Sequence, residues 1–424
     1  MKILIISRSH PYKKAGIVAK DILDGFKKYT NHEVKLIVKF GDKYPDKDII
    51  SVESYFVYTI RKIFNKLFSG LIKYFQLYKT NIDYNVQEIN LIKTRYKTKR
   101  ILNKIGFKPD AILIFFTSGF ITAKNIYELQ QLTKAKIFWQ LPDMAPFTGL
   151  CHYSWDCNGY ENDCGNCPAI NSNKKFDISY RNLSFKKEYL SNSDIELLIG
   201  SDWLIEKAKN SAVFKNNIIH KVFLPLNTNY FYPFDEQKKE LLRIKNSIPK
   251  DSFVIGFGAN NLNDKRKGIK YIIESLNNLN SNKNLFIIYA GNQNLETYFN
   301  IKSQYFGKLK REQLCEFYNC CDLFLNSSLQ DVGPYMIIEA LMCGVPVVSF
   351  NTGFANDFIV NDQTGYIVDE ISSKAFTEGI KRILNKNINE INKLKKECYE
   401  RTFNLIALEN QIQKYNKIIT AIEY

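Results

Sequence analysis

Histidine is scarce in this chain, with four among 424 residues. Only His10 and His152 fall near predicted loop crests, which weighs against chemistry that needs several histidines. Long apolar runs are also missing. The best one, Ala111 to Ile121, includes Thr117, Ser118 and Gly119 and falls well short of the ~20 residues of a membrane span. Met1-Lys2 leads into Ile3-Leu4-Ile5-Ile6, but Ser7-Arg8-Ser9-His10 follows at once. No signal-peptide core or small-residue cleavage site is visible, so the expectation is a cytoplasmic chain. Nothing repeats at a short fixed period, so a solenoid is not expected. Acidic residues are in deficit: Asp+Glu number 43 against 59 Lys+Arg, for a net charge of +16 and a pI near 9.2. That imbalance calls for an acidic partner, whether nucleotide, nucleic acid or anionic membrane.

What remains is an ordinary globular composition, 45% hydrophobic and 24% charged, which rules out a disordered or collagen-like chain. The length predicts two or three domains and a core that needs neither disulfide nor metal merely to fold. Short strands alternate with helical stretches from the start. Strands are expected at Lys2–Ser7, Glu33–Val38, Ala111–Phe116, Lys136–Gln140 and Glu196–Gly200, with helices at Gly16–Tyr29, Ile121–Thr133 and Trp203–Ser211. A second series runs Phe253–Gly256, Ile269–Leu279, Leu285–Tyr289, Arg311–Tyr318, Leu323–Leu325, Pro334–Cys343 and Val345–Phe350. Such alternation predicts an α/β fold with parallel sheets wound by helices on both faces. Two series predict two Rossmann-like, doubly wound domains with a cleft between them. The expected organisation is 1–224, a Pro/Asn-rich hinge at 225–235, 236–404, and a terminal helix at 405–424 packing back on the first domain.

One insertion, 55–108, interrupts the pattern. It holds twelve basic residues against only Asp83 and Glu88. Within it, Tyr55–Phe75 places Ile60, Ile63, Phe64, Leu67, Leu71 and Phe75 near one helical face, with Arg61, Lys62, Lys66 and Lys73 among them. This is the pattern of an amphipathic basic helix at a membrane interface. A domain-packing helix with a solvated basic face has the same periodicity.

Four features carry chemistry. Tyr12–Gly16 joins the first strand to the first helix, where a glycine admits close backbone approach and the helix N-terminus favours an anion; a full glycine-rich fingerprint is absent. Asn263–Gly268 places Lys265, Arg266 and Lys267 directly after a strand, which suits a diphosphate, and open parallel sheets bind ligands at such crests. Asp331 and Glu339, eight residues apart around Pro334, put one carboxylate in a loop and one inside the following helix. One of them can clamp vicinal hydroxyls while the other reaches a sugar. Finally, Cys151, Cys157, Cys164 and Cys167, with His152 beside the first, fall within 17 residues. In a reducing compartment that density suits a structural zinc site with four cysteine ligands, or with His152 standing in for one of them; the alternative is free or partly oxidised thiols.

The run Leu325–Val348 (LNSSLQDVGPYMIIEALMCGVPVV) resembles the donor-site signature of the family 4 retaining glycosyltransferases. Lys265–Ile269, Phe223–Phe231 and Asn361–Val368 resemble that family's phosphate-binding segment, linker and following strand. The Cys cluster and Asp143–Gly149 resemble a subgroup found in bacterial surface-polysaccharide gene clusters. The resemblance implies a GT-B arrangement and transfer from a UDP- or GDP-linked sugar to a lipid-linked or oligosaccharide acceptor. In it Glu339 would grip the donor ribose, Asp331 the donor sugar, and Arg266 and Lys267 the diphosphate, with no metal demanded for catalysis. Asn351, Thr352 and Gly353 would add contacts to the sugar, Gly16 would let the first loop approach the phosphates, and Asp143 and His10 would lie on the acceptor side. The sequence departs from the family pattern at Asp331, where Glu is usual, at Phe354, where a second glycine is usual, and at Pro142, where a histidine often precedes the Asp.

The expected setting is the cytoplasmic face of an anionic membrane. Two other readings compete. A nucleotide-sugar epimerase or hydrolase of the same fold would need more acid/base carboxylates and histidines. A nucleic-acid binder would use the basic stripe, but no nucleic-acid-binding motif accompanies it, so no nucleic-acid partner is expected.

Overall fold

The computed structural model describes residues 1–12, 16–41, 44–67, 80–86, 91–93, 96–191, 193–226 and 228–421. The chain divides into two units, one of residues 1–200, 204–225 and 408–424, the other of 201–203 and 226–407.

In the first unit seven strands run parallel: β1 (Lys2–Ser7), β2 (Glu33–Phe40), β3 (Ile49–Glu53), β4 (Ala111–Ile114), β5 (Lys136–Gln140), β6 (Ile195–Ile199) and β7 (Ile219–Lys221). Their order is β3-β2-β1-β4-β5-β6-β7. The central strands are continuous apolar runs because helices cover both sheet faces; Ile3, Ile5, Leu36, Leu113 and Phe138 are fully buried. The helix Gly16–Tyr29 lays Ile22, Leu23 and Phe26 on one face. The last helix, Leu408–Thr420, adds Ile412, Tyr415 and Ile419 to the same core, and Tyr415 Oη donates to Gln140 Oε1 at 2.6 Å.

The second unit repeats the plan with β8 (Phe253–Gly258), β9 (Leu285–Ala290), β10 (Ser303–Tyr305), β11 (Leu323–Asn326), β12 (Val347–Phe350) and β13 (Gly365–Val368), in the order β10-β9-β8-β11-β12-β13. The expected hinge is short here, since the chain from Leu226 onward belongs to this unit. In each sheet the chain winds outward in both directions from a central pair, β1 and β4 in one, β8 and β11 in the other. Those pairs are the switch points, and the carboxyl ends there form the crevices in which such sheets bind ligands.

The strands β3, β7 and β10 were not expected from sequence. All three lie at sheet edges; β7 and β10 lack an apolar run, Ser51 interrupts that of β3, and β10 is half-buried throughout. The insertion begins with a helix, Tyr55–Leu67. One docking contact is the ring of Tyr58, stacked on Phe40 at 3.8 Å. Tyr55, Phe56, Val57, Ile60 and Ile63 are exposed, Phe56 by 71%. The rest of the expected helix, from residue 68, lies outside the described residues. Among the described residues no helix is long and apolar enough to cross a membrane.

Candidate functional site

The second unit's switch point gathers the residues expected to carry chemistry. After β8 the chain closes a short 3-10 turn, Lys265–Lys267, opened by Asp264, whose carboxylate accepts from the Arg266 amide at 3.1 Å. The same carboxylate pairs with the Arg266 guanidinium at 2.6 Å. The turn is stitched to the loop after β11. The Leu329 amide donates to the Arg266 carbonyl at 2.6 Å, and Ser327 Oγ to the Lys267 carbonyl at 2.8 Å. Gly268 makes the approach possible: its φ is +60°, and a Cβ there would stand 2.1 Å from the Ser327 carbonyl oxygen. Only glycine meets both demands cheaply.

This stitching delivers Lys267 to Asp331, with Nζ and Oδ2 2.5 Å apart. Asp331 is buried, and its Oδ1 accepts from the Gly333 amide at 3.2 Å. Gly353, expected to contribute backbone contacts, packs on the same loop. Its φ is +58°, and a Cβ would lie 2.8 Å from both the Asp331 carbonyl oxygen and Pro334 Cδ. Its neighbour Thr352 is buried, and Asn351 donates to Asp369 at 2.9 Å. Lys267, Ser327, Pro334 and Tyr335 share the walls of one cavity of about 60 Å³.

Pro334 caps the next helix, Tyr335–Met342, rather than opening it, and Glu339 sits in that helix's second turn. Glu339 Oε2 accepts from Tyr318 Oη at 2.7 Å. Burial pushes the Glu339 carboxyl above its usual range, against the opposing pull of Tyr318 and Arg311. Burial, with Glu339 beside it, also drives the Tyr318 phenol well up, so it stays a donor. Sequence reasoning missed Tyr318 and Asp264. Asp264 adjoins the basic run and had a visible signal as a counter-charge; Tyr318 lies on a different helix and had none.

The first unit holds the remaining expected residues. A Cβ on Gly16 would stand 2.0 Å from the His10 carbonyl oxygen, so this glycine serves the close return of the β1 loop onto its helix. His10 packs edge-on to Tyr44, with ring centroids 5.5 Å apart. Asp143 Oδ2 meets His152 Nδ1 at 2.7 Å, and its Oδ1 accepts from the Ala145 amide at 2.8 Å. His152, considered above as a stand-in metal ligand, is thus engaged with Asp143 instead.

The four clustered cysteines line one small cavity of about 20 Å³. The last pair is joined by a turn of three successive left-handed residues, Cys164 (φ +57°), Gly165 (φ +87°) and Asn166 (φ +45°). Burial raises the thiols of Cys151 and Cys167 and pushes that of Cys164 up to about 12. Among the described residues no group of three or more His, Cys, Asp or Glu stands in metal-holding geometry. As placed, the four thiols surround a common space without converging on one point, and all nine cysteines are free.

Within the second unit, residues 238–403 match the model of the family described as "Glycosyl transferases group 1". Among curated proteins the chain is 28% identical over 202 residues to the capsular polysaccharide biosynthesis glycosyltransferase CapM of Staphylococcus aureus, covering 45% of this chain. The chain spans about half the length of that relative, 52%. Among solved structures it is similar to sucrose-phosphate synthase from Thermosynechococcus elongatus, with a TM-score of 0.67 and 14% identity over 99% of this chain and 98% of that one. It is also similar to Anabaena Alr3699/HepE in complex with UDP and glucose, with a TM-score of 0.61 and 13% identity over 99% and 100%. These likenesses show the fold, an α/β architecture of two parallel-sheet units.

Proposed function

We propose that the chain is a retaining glycosyltransferase of the family 4 kind. It moves a sugar from a UDP- or GDP-linked donor to a lipid-linked or oligosaccharide acceptor in bacterial surface-polysaccharide synthesis. The observation that carries this reading is the ion pair of Lys267 and Asp331 at the switch point of the group 1 domain, with Glu339 on the very next helix. An ammonium has three protons to donate. One faces Asp331, leaving two for a diphosphate.

In the reaction the bond from the anomeric carbon to the diphosphate oxygen breaks, and its electron pair leaves with the diphosphate. Arg266 and Lys267 receive the developing charge, and such preorganised stabilisation is the largest single contribution in many enzymes. The acceptor hydroxyl oxygen bonds to the anomeric carbon on the face the diphosphate leaves, and its proton passes to the departing diphosphate oxygen. Glu339 holds the ribose hydroxyls. Asp331 orients Lys267 and lies within reach of the sugar. Fixed cations at the leaving group are the reason no metal is assigned to catalysis. The exposed apolar helix of the basic insertion supports a peripheral seat on an anionic cytoplasmic membrane, and the four cysteines around one cavity support a structural zinc.

A thermal-shift screen of UDP, GDP and their sugar conjugates, followed by an assay for released nucleoside diphosphate, tests the proposal. One nucleotide should raise the melting temperature and its sugar conjugate should be turned over in the presence of acceptor. Failure of every nucleotide to bind sinks it.

A further inference from the structure

The helix that carries Glu339 shares a seam with the helix Arg311–Cys320, which packs against it. Two pairs of side chains meet across that seam. Tyr318 Oη donates to Glu339 Oε2 at 2.7 Å. One helical turn away, Cys315 Sγ lies 3.9 Å from Cys343 Sγ. Cys315 and Tyr318 are three positions apart, and Glu339 and Cys343 four, the spacings that put two residues on one helix face. Cys343 is the residue that closes the helix of Glu339. A change at the sulfur pair is therefore felt at the carboxylate.

The two sulfurs differ in reactivity. Burial raises the thiols of Cys320, Cys321, Cys343 and Cys398. Cys315 moves the other way, down to about 7: the hydrogen bond from Cys343 outweighs burial, and Lys238 and Asn319 add to it. Asn319 Nδ2 stands 3.5 Å from the Cys315 sulfur. The protonated thiol donates to the Tyr232 carbonyl at 3.7 Å. Thiolates, not thiols, are the nucleophiles in oxidation, so Cys315 is the reactive member near neutral pH.

Access follows the same order. Cys315 is 5% exposed and Cys343 is 0% exposed. An oxidant meets Cys315 first, and so narrow an opening favours one of few atoms, such as hydrogen peroxide. Cys343 then stands behind it as the second thiol. Cys321, later on the same chain segment, is turned away, with its Sγ donating to the Phe317 carbonyl at 3.3 Å and packed against Gly256 of β8.

We propose that Cys315 and Cys343 form a reversible oxidation site that loosens the grip of Glu339 on the donor. The Cys315 thiolate attacks one peroxide oxygen. The O–O bond breaks, its electron pair leaves as hydroxide, and a proton from solvent makes that a water. Cys315 is now a sulfenic acid. The Cys343 sulfur attacks the Cys315 sulfur, the S–O bond breaks, and the departing hydroxide takes the Cys343 proton as a second water. Two thiols have lost two electrons to one peroxide, and a disulfide remains. Closing it draws the sulfurs from 3.9 Å to ~2.05 Å. A packed interior transmits such a shift rather than absorbing it, so Glu339 leaves the position that Tyr318 sets. A dithiol reductant reverses the step by exchange. The loss of donor affinity rests on the glycosyl-transfer reading; the disulfide does not.

The test treats the reduced wild-type protein with a stoichiometric amount of hydrogen peroxide near neutral pH. Peptide mapping by mass spectrometry locates the disulfide, and calorimetry with UDP and GDP compares the reduced and oxidised forms. A Cys315–Cys343 disulfide should appear and should vanish with dithiothreitol. The oxidised form should bind its nucleotide at least about tenfold more weakly, a difference of ~1.4 kcal/mol. Cys343→Ser keeps a hydroxyl donor beside Cys315 but no second sulfur, so peroxide should leave a sulfenic acid on Cys315 that dimedone captures. Cys315→Ser should keep its affinity through peroxide treatment. The mapping on the wild type needs neither variant to fold. Peroxide that leaves Cys315 and Cys343 as free thiols, or pairs either with another cysteine, overturns the inference. So does a Cys315–Cys343 disulfide in a protein that binds nucleotide as tightly as its reduced form. If the disulfide forms and neither form binds nucleotide, the oxidation site stands and the donor reading falls.

Discussion

Lys267 Nζ stands 2.5 Å from Asp331 Oδ2, although the two residues are 64 positions apart and belong to different loops. The contact exists because β8 and β11 are neighbours in the sheet, so the loops leaving their carboxyl ends meet. Gly268 and Ser327 close the remaining gap. The cation is therefore held in place before any ligand arrives, and its reorganisation cost on binding is small.

Preorganisation makes Lys267 hard to replace. Lys267→Ala should lower kcat/KM for transfer by about 10²–10³, the usual cost of removing one charge-stabilising donor, with most of the loss in kcat. Asp331→Asn should keep the loop but lose the charge that orients the ammonium, and its kcat should fall as well. Steady-state kinetics with the donor identified by the thermal screen measures both. Turnover near wild type in Lys267→Ala would remove the cation from the reaction.

Glu339 leads to a prediction of opposite sign for stability and function. Burial raises its folded-state carboxyl above the ordinary value of 4.5. A carboxyl raised in the folded state adds stability that is fully present below its unfolded pKa and lost as pH rises through its folded pKa. At neutral pH the ionised group is thus a liability that Gln would not carry, while Tyr318 would still find an amide oxygen to donate to. Glu339→Gln should match the wild type in melting temperature near pH 4 and exceed it by about 2 °C or more at pH 7. Nucleotide affinity should fall roughly tenfold with the loss of a charged hydrogen-bond acceptor. Identical melting curves at both pH values would contradict the burial argument.

The alternation of strands and helices was legible because strands buried on both faces read as unbroken apolar runs. Lys2–Ser7 and Lys136–Gln140 were placed to the residue. β7 and β10 were not, since three-residue edge strands carry no such run. At the site, the basic run and the Asp331 and Glu339 pair were visible as residue types at crests. Their bonding partners were not. Asp331 was expected to hold a sugar and is found on Lys267; Tyr318 reaches Glu339 from another helix. His152 was grouped with the cysteines by adjacency, whereas Asp143, nine positions earlier, holds it. Pairings of this kind depend on loop geometry, which residue order does not encode locally.

The cysteine cluster yields a prediction about metal content. Non-glycine residues held at positive φ cost on the order of 1–3 kcal/mol each and persist only where their surroundings impose them; Cys164 and Asn166 are two such residues around one glycine. Four thiolates drawn onto one ion would supply that constraint, and zinc binding lowers thiol pKa values enough to overcome their burial. Protein purified without chelator should carry about one equivalent of zinc, and a chelator should lower its melting temperature. Less than about 0.2 equivalents by atomic absorption would reject the site.

The helix Tyr55–Leu67 carries the membrane prediction. Phe56, Ile60 and Ile63 follow a spacing of four and three, which puts them on one face, and all three are exposed. Phe56, Ile60 and Ile63 are 71%, 51% and 54% exposed, so this face keeps half or more of its apolar surface in water. The surrounding segment supplies twelve basic residues against two acidic ones, and near an anionic surface each contributes about 1 kcal/mol. Apolar insertion and charge attraction are separable. Replacing Phe56, Ile60 and Ile63 together by Glu should cut co-sedimentation with phosphatidylglycerol vesicles by about tenfold or more, since each buried apolar side chain contributes ~1.5–3 kcal/mol. Raising salt to about 0.5 M should weaken wild-type binding by screening, and neutral phosphatidylcholine vesicles should bind it poorly. If the triple variant sediments as the wild type does, this face packs elsewhere and the basic segment alone, or nothing, meets the lipid.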